Sequence, residues 1–281
     1  MVEKKYEIEI KASPEKIWFA LWDDYCYRQW TSVFCPGSYY EGELKEGEQI
    51  LFLAPNGEGM FSKVQTVVEN EKMHFVHLGE LKDKQPKVDF DAAPWTASRE
   101  HYEIIPSDGA ICVLRATVDV VDEYIDFMDK SFALGLQKVR DLSENFYIYN
   151  KIESEAPIEA IWDSYTNPDK ITNWNFANDD WRCPWAKVDL REGGSFSSRM
   201  EAKDGSFGFE FGGIYQKIEP NKLLHYIMED GRAVEVNFSR REGISEVIQK
   251  FMPENENSYY LQRDGWQAIL NNFKKYTESL Q

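Results

Sequence analysis

Apolar and polar residues alternate at the start of the chain and again near its middle. In residues 5–12 the apolar positions include Tyr6, Ile8 and Ile10, and residues 146–155 show a similar two-residue period. This period is typical of a half-buried β-strand, because successive side chains of a strand point to opposite faces. The pattern therefore predicts one strand at each place.

A helix is predicted after each of these strands. Pro14 and Pro157 stand where a first helical turn would begin, and proline is tolerated there because that N–H has no partner within the helix. Apolar residues then recur at helical spacing, as Ile17 and Leu21 in the first segment and Ile161 and Tyr165 in the second.

Turn signals and a final long apolar stripe complete the pattern in each half. Pairs such as Asn56-Gly57 and Asp204-Gly205 separate alternating runs, which predicts a meander of about five antiparallel strands. A long helix should follow and cover the apolar face of the sheet. Its stripe is Ile125, Met128, Phe132, Leu136, Val139 and Leu142 in the first half and Trp266, Ile269, Leu270, Phe273, Tyr276 and Leu280 in the second.

The two halves are copies of one plan. Residues 12–30 read ASPEKIWFALWDDYCYRQW and residues 156–174 read APIEAIWDSYTNPDKITNW. GELKEG (42–47) is similar to VDLREG (188–193), and VENEKMHF (68–75) to IEPNKLLHY (218–226), in the same order. The sequence therefore predicts two tandem α+β domains, at 1–144 and 145–281, each an antiparallel sheet covered by a long C-terminal helix.

Composition and charge restrict the function. The chain of 281 residues is 42% apolar and 15% aromatic, which is enough for two cores. Its net charge of −17 repels phosphate backbones and anionic membranes, so we expect no nucleic acid and no membrane partner. The four cysteines form no C-x-x-C pair and no apolar segment stands at the N-terminus, so we expect reduced thiols and a cytoplasmic location.

Residues 156–281 resemble a known family. The runs APIEAIWDSYTNPDKITNW, VDLREGGSF, DGSFGFEFGGIYQKIEPNKLLHYI and DGWQAILNNFKKY are similar to the C-terminal domain of activator of heat-shock-protein ATPase homologues. That family belongs to the START-like (SRPBCC, Bet v-type) superfamily. The resemblance implies a helix-grip fold with an apolar cavity; superfamily members carry lipids, sterols or polyketides, or act as cyclases and hydrolases. Residues 1–144 are interpreted as a diverged copy, with Glu48 in place of Gly194 and an insertion at 80–97 that includes Lys87 and Trp95.

Aromatic residues of the second copy are the candidate ligand-binding residues. Four rings fall within residues 174–185, which in the family lies near the cavity mouth; they either stack on a ligand or fill the core. The candidate set is Trp174, Phe176, Trp181, Trp185, Met200, Phe209, Phe211, Tyr215, Trp266, Leu270 and Phe273. Gly265 is interpreted as relieving crowding beside Trp266, and Gly135 as doing so in the first long helix.

Other chemistry is weaker in the sequence. Asp189 and Arg191 are interpreted as an ion pair that fixes a strand entry rather than as a catalytic pair. Alternation turns Glu210 away from the Phe face, towards solvent, and Arg199 and Glu246 have the same ambiguity between solvent and cavity. His74 and His77 should point to opposite faces of a strand. No motif indicates a metal, a cofactor or a nucleophile, so no catalytic residue is assigned.

Three functions remain open at this point. We favour a non-enzymatic protein, monomeric or weakly dimeric, that holds a small hydrophobic or amphipathic molecule, lipid-like or polyketide-like, in its apolar cavity. The alternatives are a cyclase- or hydrolase-type enzyme that uses cavity residues such as Glu210 or Arg199, and a chaperone-regulating interaction module.

Overall fold

The computed structural model describes residues 1–86 and 94–281. The chain divides into two compact units, Met1–Phe146 and Tyr147–Gln281, whereas the sequence analysis placed the change between residues 144 and 145. Part of the predicted insertion, including Lys87, lies outside the described residues. Each unit is treated by itself below.

The first unit opens with a strand and a pair of helices and closes with a long helix. Its described strands are β1 (Val2–Ile10), β2 (Tyr39–Glu41), β3 (Gln49–Leu53), β4 (Gly59–Val68), β5 (Lys72–Lys82), β6 (Gln85–Pro86), β7 (Arg99–Pro106) and β8 (Cys112–Val120). Its helices are α1 (Pro14–Trp22), α2 (Asp24–Thr31) and, after a 3₁₀ turn, α3 (Ile125–Glu144). Asp23 begins α2, because its carboxylate accepts from the backbone N–H groups of Tyr25 and Cys26.

These strands form one antiparallel sheet among the described residues, in the order β1-β8-β7-β5-β4-β3-β2, with β6 on β5. In β8 buried and half-buried residues alternate strictly, as expected for a sheet with one face on the core. Phe132, Leu136 and Val139 of α3 are buried against that face.

The second unit repeats this plan. Its strands are β9 (Ile148–Ser154), β10 (Trp181–Arg182), β11 (Ala186–Val188), β12 (Ser195–Ala202), β13 (Gly208–Glu219), β14 (Leu223–Met228), β15 (Ala233–Arg241) and β16 (Ile244–Phe251). Its helices are α4 (Ile158–Thr166), α5 (Pro168–Ile171) and α6 (Tyr259–Glu278). The antiparallel sheet has the order β10-β12-β13-β14-β15-β16-β9, with β11 on β12. The predicted fold class, two tandem helix-grip domains, is confirmed.

The central strands of the two sheets correspond in their pairing. Phe75 and Tyr226 occupy the same place in the repeated segments, and each pairs across to the strand before it, with Val64 and Tyr215 respectively. Both pairings shift register directly after these two partners, at Val64/Thr66 and Tyr215/Lys217. A bulge at the same point in both copies fixes the alignment.

The pairing extends this alignment to other strands. Four cross-strand pairs of the first unit have counterparts in the second. The pairs of the first unit are Ser62 with His77, Phe75 with Glu100, Met73 with Tyr102, and Tyr102 with Ala116. Their counterparts, in the same order, are Gly213 with Met228, Tyr226 with Val234, Leu224 with Val236, and Val236 with Gln249. Five positions therefore correspond between the units: Ser62 to Gly213, His77 to Met228, Glu100 to Val234, Tyr102 to Val236 and Ala116 to Gln249.

The glycines of the two long helices differ in their surroundings. A Cβ on Gly135 would lie 3.3 Å from Phe34 and 3.4 Å from Trp30, so this glycine does relieve crowding. A Cβ on Gly265 would meet nothing within 4 Å, which corrects the interpretation of that residue. The predicted stripe of α6 also ends early, because Leu280 lies beyond Glu278, where the helix ends, and is exposed.

None of the helices in the described ranges combines the length and apolar character that a membrane span needs.

Candidate ligand-binding cavity

The second unit contains a cavity of about 400 Å³ between its sheet and its long helix. Strands β12 to β14 and β16 line it on one side and α6 on another, and the segment from α4 to Trp181 and Arg232 supply the rest. Gly265 stands in its wall, and a Cβ on this residue would meet nothing within 4 Å.

Most of the predicted site residues lie in this wall. The residues brought together are Trp174, Phe176, Trp181, Met200, Phe209, Phe211, Tyr215, Trp266 and Leu270. Phe273 does not line the cavity: it is fully buried behind the wall, with its ring 5.0 Å from that of Trp174. Trp185 does not line it either, and instead carries the Lys187 ammonium 5.2 Å from its ring centre.

Ring-to-ring packing holds the wall in place. Trp266 stacks on Phe251 at 4.2 Å and meets Phe211 edge-on at 5.7 Å. Trp174 donates its ring N–H to the carbonyl oxygen of Ser164 at 2.8 Å, which anchors it to the end of α4. Such contacts restrict the rings, so an apolar ligand would meet a preformed surface.

The rim of the cavity is also aromatic. Phe207 is 62% exposed and Phe209 39% exposed, although they are large apolar side chains. Trp181 lies edge-on to both, at 6.1 Å and 6.0 Å between ring centres. Phe209 lines the cavity, whereas Phe207 is not among its lining residues.

A cluster of hydroxyl and amide groups interrupts the apolar wall. The Gln249 side-chain N–H donates to the Tyr165 hydroxyl at 2.9 Å. Burial raises the pKa of Tyr165 above its usual value, although hydrogen bonds from Gln249 and Tyr226 act in the opposite direction. Burial likewise raises the pKa of Tyr226 and of Tyr215, so all three phenols stay neutral at physiological pH.

Two further polar side chains reach the cavity and are already bonded. Asn175 donates to the Ser198 hydroxyl at 3.0 Å, and Arg232 holds Asp230 at 2.7 Å between nitrogen and oxygen. Among the described lining residues no aspartate, glutamate or histidine occurs. The cavity is therefore an apolar volume with neutral hydrogen-bonding groups and one neutralised arginine.

The other candidate groups lie elsewhere. Asp189 and Arg191 form an exposed ion pair at 2.9 Å, and a Cβ on Gly194 would collide with the Asp189 carbonyl oxygen at 2.1 Å. Glu210 is exposed. Arg199 bonds Glu201 and Glu246 bonds Lys151, and neither lines the cavity. These residues thus act on backbone geometry and surface charge rather than on a cavity ligand.

The cysteines of the described chain are free thiols. Burial raises the pKa of Cys183 to about 11, and its thiol donates to the Trp185 carbonyl oxygen at 3.4 Å. A thiol held protonated in this way is a poor nucleophile. No group of three or more potential metal ligands occurs among the described residues.

Sequence reasoning missed several lining residues, including Tyr165, Phe196, Leu224, Tyr226 and Gln249. The signal for Leu224 and Tyr226 was available, because they alternate along one strand and are both buried. The signal for Gln249 was not available, since a polar residue in a strand usually faces solvent.

Comparison with known proteins identifies the second unit. The sequence model of the family described as Activator of Hsp90 ATPase homolog 1-like protein matches residues 155–278. The AHSA1-like protein from Aeromonas hydrophila, solved in solution, is 40% identical; the match covers 47% of this chain and 94% of that one, with a TM-score of 0.44. The chain belongs to the AHSA1-like family.

Other structures are similar to the chain as well. A solution structure of a protein from Cytophaga hutchinsonii is 41% identical to this AHSA1-like chain, over 47% of it and 92% of that protein, with a TM-score of 0.43. The di-domain ARO/CYC StfQ from the steffimycin biosynthetic pathway is 11% identical and covers 99% of each chain, with a TM-score of 0.40. The curated proteins include no match.

Proposed function

We propose that the second unit binds one small hydrophobic or amphipathic molecule, of lipid-like or polyketide-like chemistry, in its cavity. The observation that carries the proposal is the cavity of about 400 Å³ walled by ordered aromatic rings with a few neutral polar groups. Sites for small molecules typically have about 300–1,000 Å³ and this kind of lining.

The polar cluster suggests how such a molecule would be oriented. The Tyr215 hydroxyl has no hydrogen-bond partner among the described residues, and Tyr165, whose hydroxyl accepts from Gln249, interacts with it electrostatically in the same wall. A neutral hydroxyl or carbonyl group of a ligand would be a suitable partner, because a bond to it would satisfy groups that burial leaves short of water. Burial of the apolar body supplies the affinity and this bond the orientation.

The catalytic alternative has less support from the geometry. A cyclase or hydrolase needs an acid, a base or a nucleophile beside the substrate. The sequence candidates Glu210 and Arg199 do not line the cavity.

The experiment compares the full chain with a variant whose cavity is filled. Gly265→Leu places a side chain in the open space beside α6, and Lys275→Leu on the exposed face of the same helix is the matched control. Native mass spectrometry and thermal-shift assays against fatty acids and aromatic polyketides are expected to show a bound mass or a stabilised protein. That effect should disappear in Gly265→Leu and persist in Lys275→Leu. Absence of binding by every class, or binding that survives in Gly265→Leu, would refute the proposal.

A further inference from the structure

The first unit has its own cavity, of about 220 Å³. Its walls are mainly aromatic, and their rings include Trp22, Tyr27, Trp30, Phe34, Phe52 and Phe132. The volume lies below the range of about 300–1,000 Å³ usual for drug-sized ligands, so only a small molecule fits.

This cavity differs from the other in having a carboxylate in its wall. Glu100 of β7 turns inward, and its side chain keeps 24% of its surface accessible where it lines the cavity. One carboxylate oxygen lies 3.0 Å from Nε2 of His77, and the other accepts from the Tyr102 hydroxyl at 2.5 Å. A carboxylate accepts up to about four hydrogen bonds, so both oxygens keep acceptor capacity for a ligand.

Ser62 completes the chain of contacts without being a nucleophile. Its hydroxyl lies 2.7 Å from Nδ1 of His77, so the order Ser-His-Glu is that of a hydrolytic triad. However, Ser62 is 0% exposed and does not line the cavity, so no substrate reaches its oxygen. Because a carboxylate only accepts, the bond to Glu100 requires the proton on Nε2, and Ser62 holds the ring in that orientation.

The neighbours of Glu100 favour its ionised form. Burial alone would raise its pKa, but hydrogen bonds from His77 and Tyr102 and the charge of His77 outweigh burial, so the pKa lies below its usual value. The neighbouring donors therefore hold a negative charge at the cavity surface.

No lysine, arginine or histidine is among the described residues that line this cavity. Arg28 and Lys84 lie over the ring of Tyr39, which lines the cavity, and are bound to Asp24 and Glu41. An anion surrounded by aromatic faces favours a cation, since the faces of aromatic rings attract positive charge as well.

We infer that the cavity of the first unit is a binding site for a small organic ammonium ion, with Glu100 as its counter-ion and the aromatic rings enclosing its apolar body. His77 and Tyr102 are positioning residues that hold the carboxylate. This site is separate from the cavity of the second unit and does not depend on the function proposed for it.

The test uses three probes of nearly equal shape that differ in charge. 2-Phenylethylammonium, 2-phenylethanol and phenylacetate are titrated calorimetrically at pH 7 into the full chain carrying Gly265→Leu, so that the second cavity contributes no heat. The ammonium ion is expected to bind about tenfold or more tightly than the alcohol, and phenylacetate not to bind, because a hydrogen bond to a charged group is worth about one to two powers of ten in affinity.

Two matched variants locate the effect. Glu100→Gln should lower the affinity for the ammonium ion about tenfold or more and remove its advantage over the alcohol. Glu103→Gln changes a carboxylate on the opposite face of the same strand, where it lies 3.6 Å from Arg115, and should leave binding unchanged.

Several outcomes would overturn the inference: no binding of the ammonium ion, equal binding of the alcohol, or equal losses in the two variants. If Glu100→Gln fails to fold, the selectivity among the three probes and the shifts of the Trp22 and Trp30 indole NMR signals decide the question in the chain that retains Glu100.

Discussion

The two cavities place their polar groups at different positions of corresponding sheets. In the first unit Ser62, His77, Glu100 and Tyr102 form one connected set, and the second unit has Gly213, Met228, Val234 and Val236 at these positions. In the second unit Tyr215, Tyr226 and Gln249 are polar, and the first unit has Val64, Phe75 and Ala116 there.

The difference teaches that buried polar groups change as sets. A single buried polar group without a partner costs about 1–3 kcal/mol or more, so one member cannot be gained or lost alone without a penalty. Both units have a register shift at the same point, although the first unit has a further shift between Phe61 and Ser62, and the polar residues of the two walls differ.

The largest effect is expected when one member of the polar set of the first unit is introduced alone into the second unit. Val234→Glu places a carboxylate at the position of Glu100, in a sheet that has Met228 at the position of His77. We expect a loss of about 3–5 kcal/mol in the free energy of unfolding at pH 7. Burial would raise the folded-state pKa of this carboxyl, so the loss should shrink as the pH falls towards and below the unfolded-state pKa. Chemical denaturation between pH 4 and pH 8 measures it, with Val234→Gln as control; a loss independent of pH would contradict the electrostatic explanation.

Removal of one member from the complete set should have the next largest effect. His77→Ala leaves Glu100 without its imidazole partner, and we expect a loss of about 3 kcal/mol at pH 7. The pKa of Glu100 is lowered in the folded state, so the stability this carboxylate contributes is present above its unfolded-state pKa and is lost as the pH falls through the folded-state pKa.

This acid-dependent contribution should be missing in Glu100→Gln. Urea unfolding of the unmodified chain and of this variant at several pH values below 5 compares how steeply the free energy of unfolding depends on pH in each. Parallel curves would show that Glu100 is not held by its partners as the geometry indicates.

A smaller effect is expected in the second cavity. Gln249→Ala introduces the residue that the first unit has at this position, and it removes the donor to Tyr165. We expect a loss of about 1–3 kcal/mol, because a buried phenol loses a hydrogen bond and a small void forms. Thermal unfolding measures the change; an unaltered melting temperature would mean that the hydroxyl finds another partner.

The smallest expected effect compares the two helix glycines. Gly265→Ala should stabilise the chain by about 0.5–1 kcal/mol, because alanine is the better helix former and its methyl group meets open space. Gly135→Ala should stabilise the chain by less, or destabilise it, since the added Cβ would press on Phe34 and Trp30. Denaturant midpoints of the two variants decide this, and equal gains would contradict the packing argument.

Much of the fold follows from sequence patterns that are local. The order of strand, helices, meander and long helix could be predicted from alternation, turn residues and the repeat with Trp18 and Trp162. The end of the last helix could not be predicted in this way, because Leu280 fits the 3.6-residue period although the helix ends at Glu278. Periodicity marks a face but does not show whether a partner surface reaches that far.

The residues of the candidate site could be predicted from the sequence only where an apolar side chain also falls on the core-facing side of a strand or helix. Aromatic residues of the second copy lead to the cavity, yet the pattern does not separate Trp174 in the wall from Phe273 behind it. Both lie on a core-facing surface, and the difference is a few ångströms of depth that depends on all neighbouring side chains.

The sequence by itself determined the duplication, the order of strands and helices in each half and the apolar face of the first strand, because these follow from periods of two and 3.6 residues and from turn chemistry. The tertiary structure alone decided that Ser62, His77, Glu100 and Tyr102 meet, since they come from three strands and up to 40 residues separate them. Cross-strand register brings such residues together, and a register is fixed only when the whole sheet and its bulge have formed.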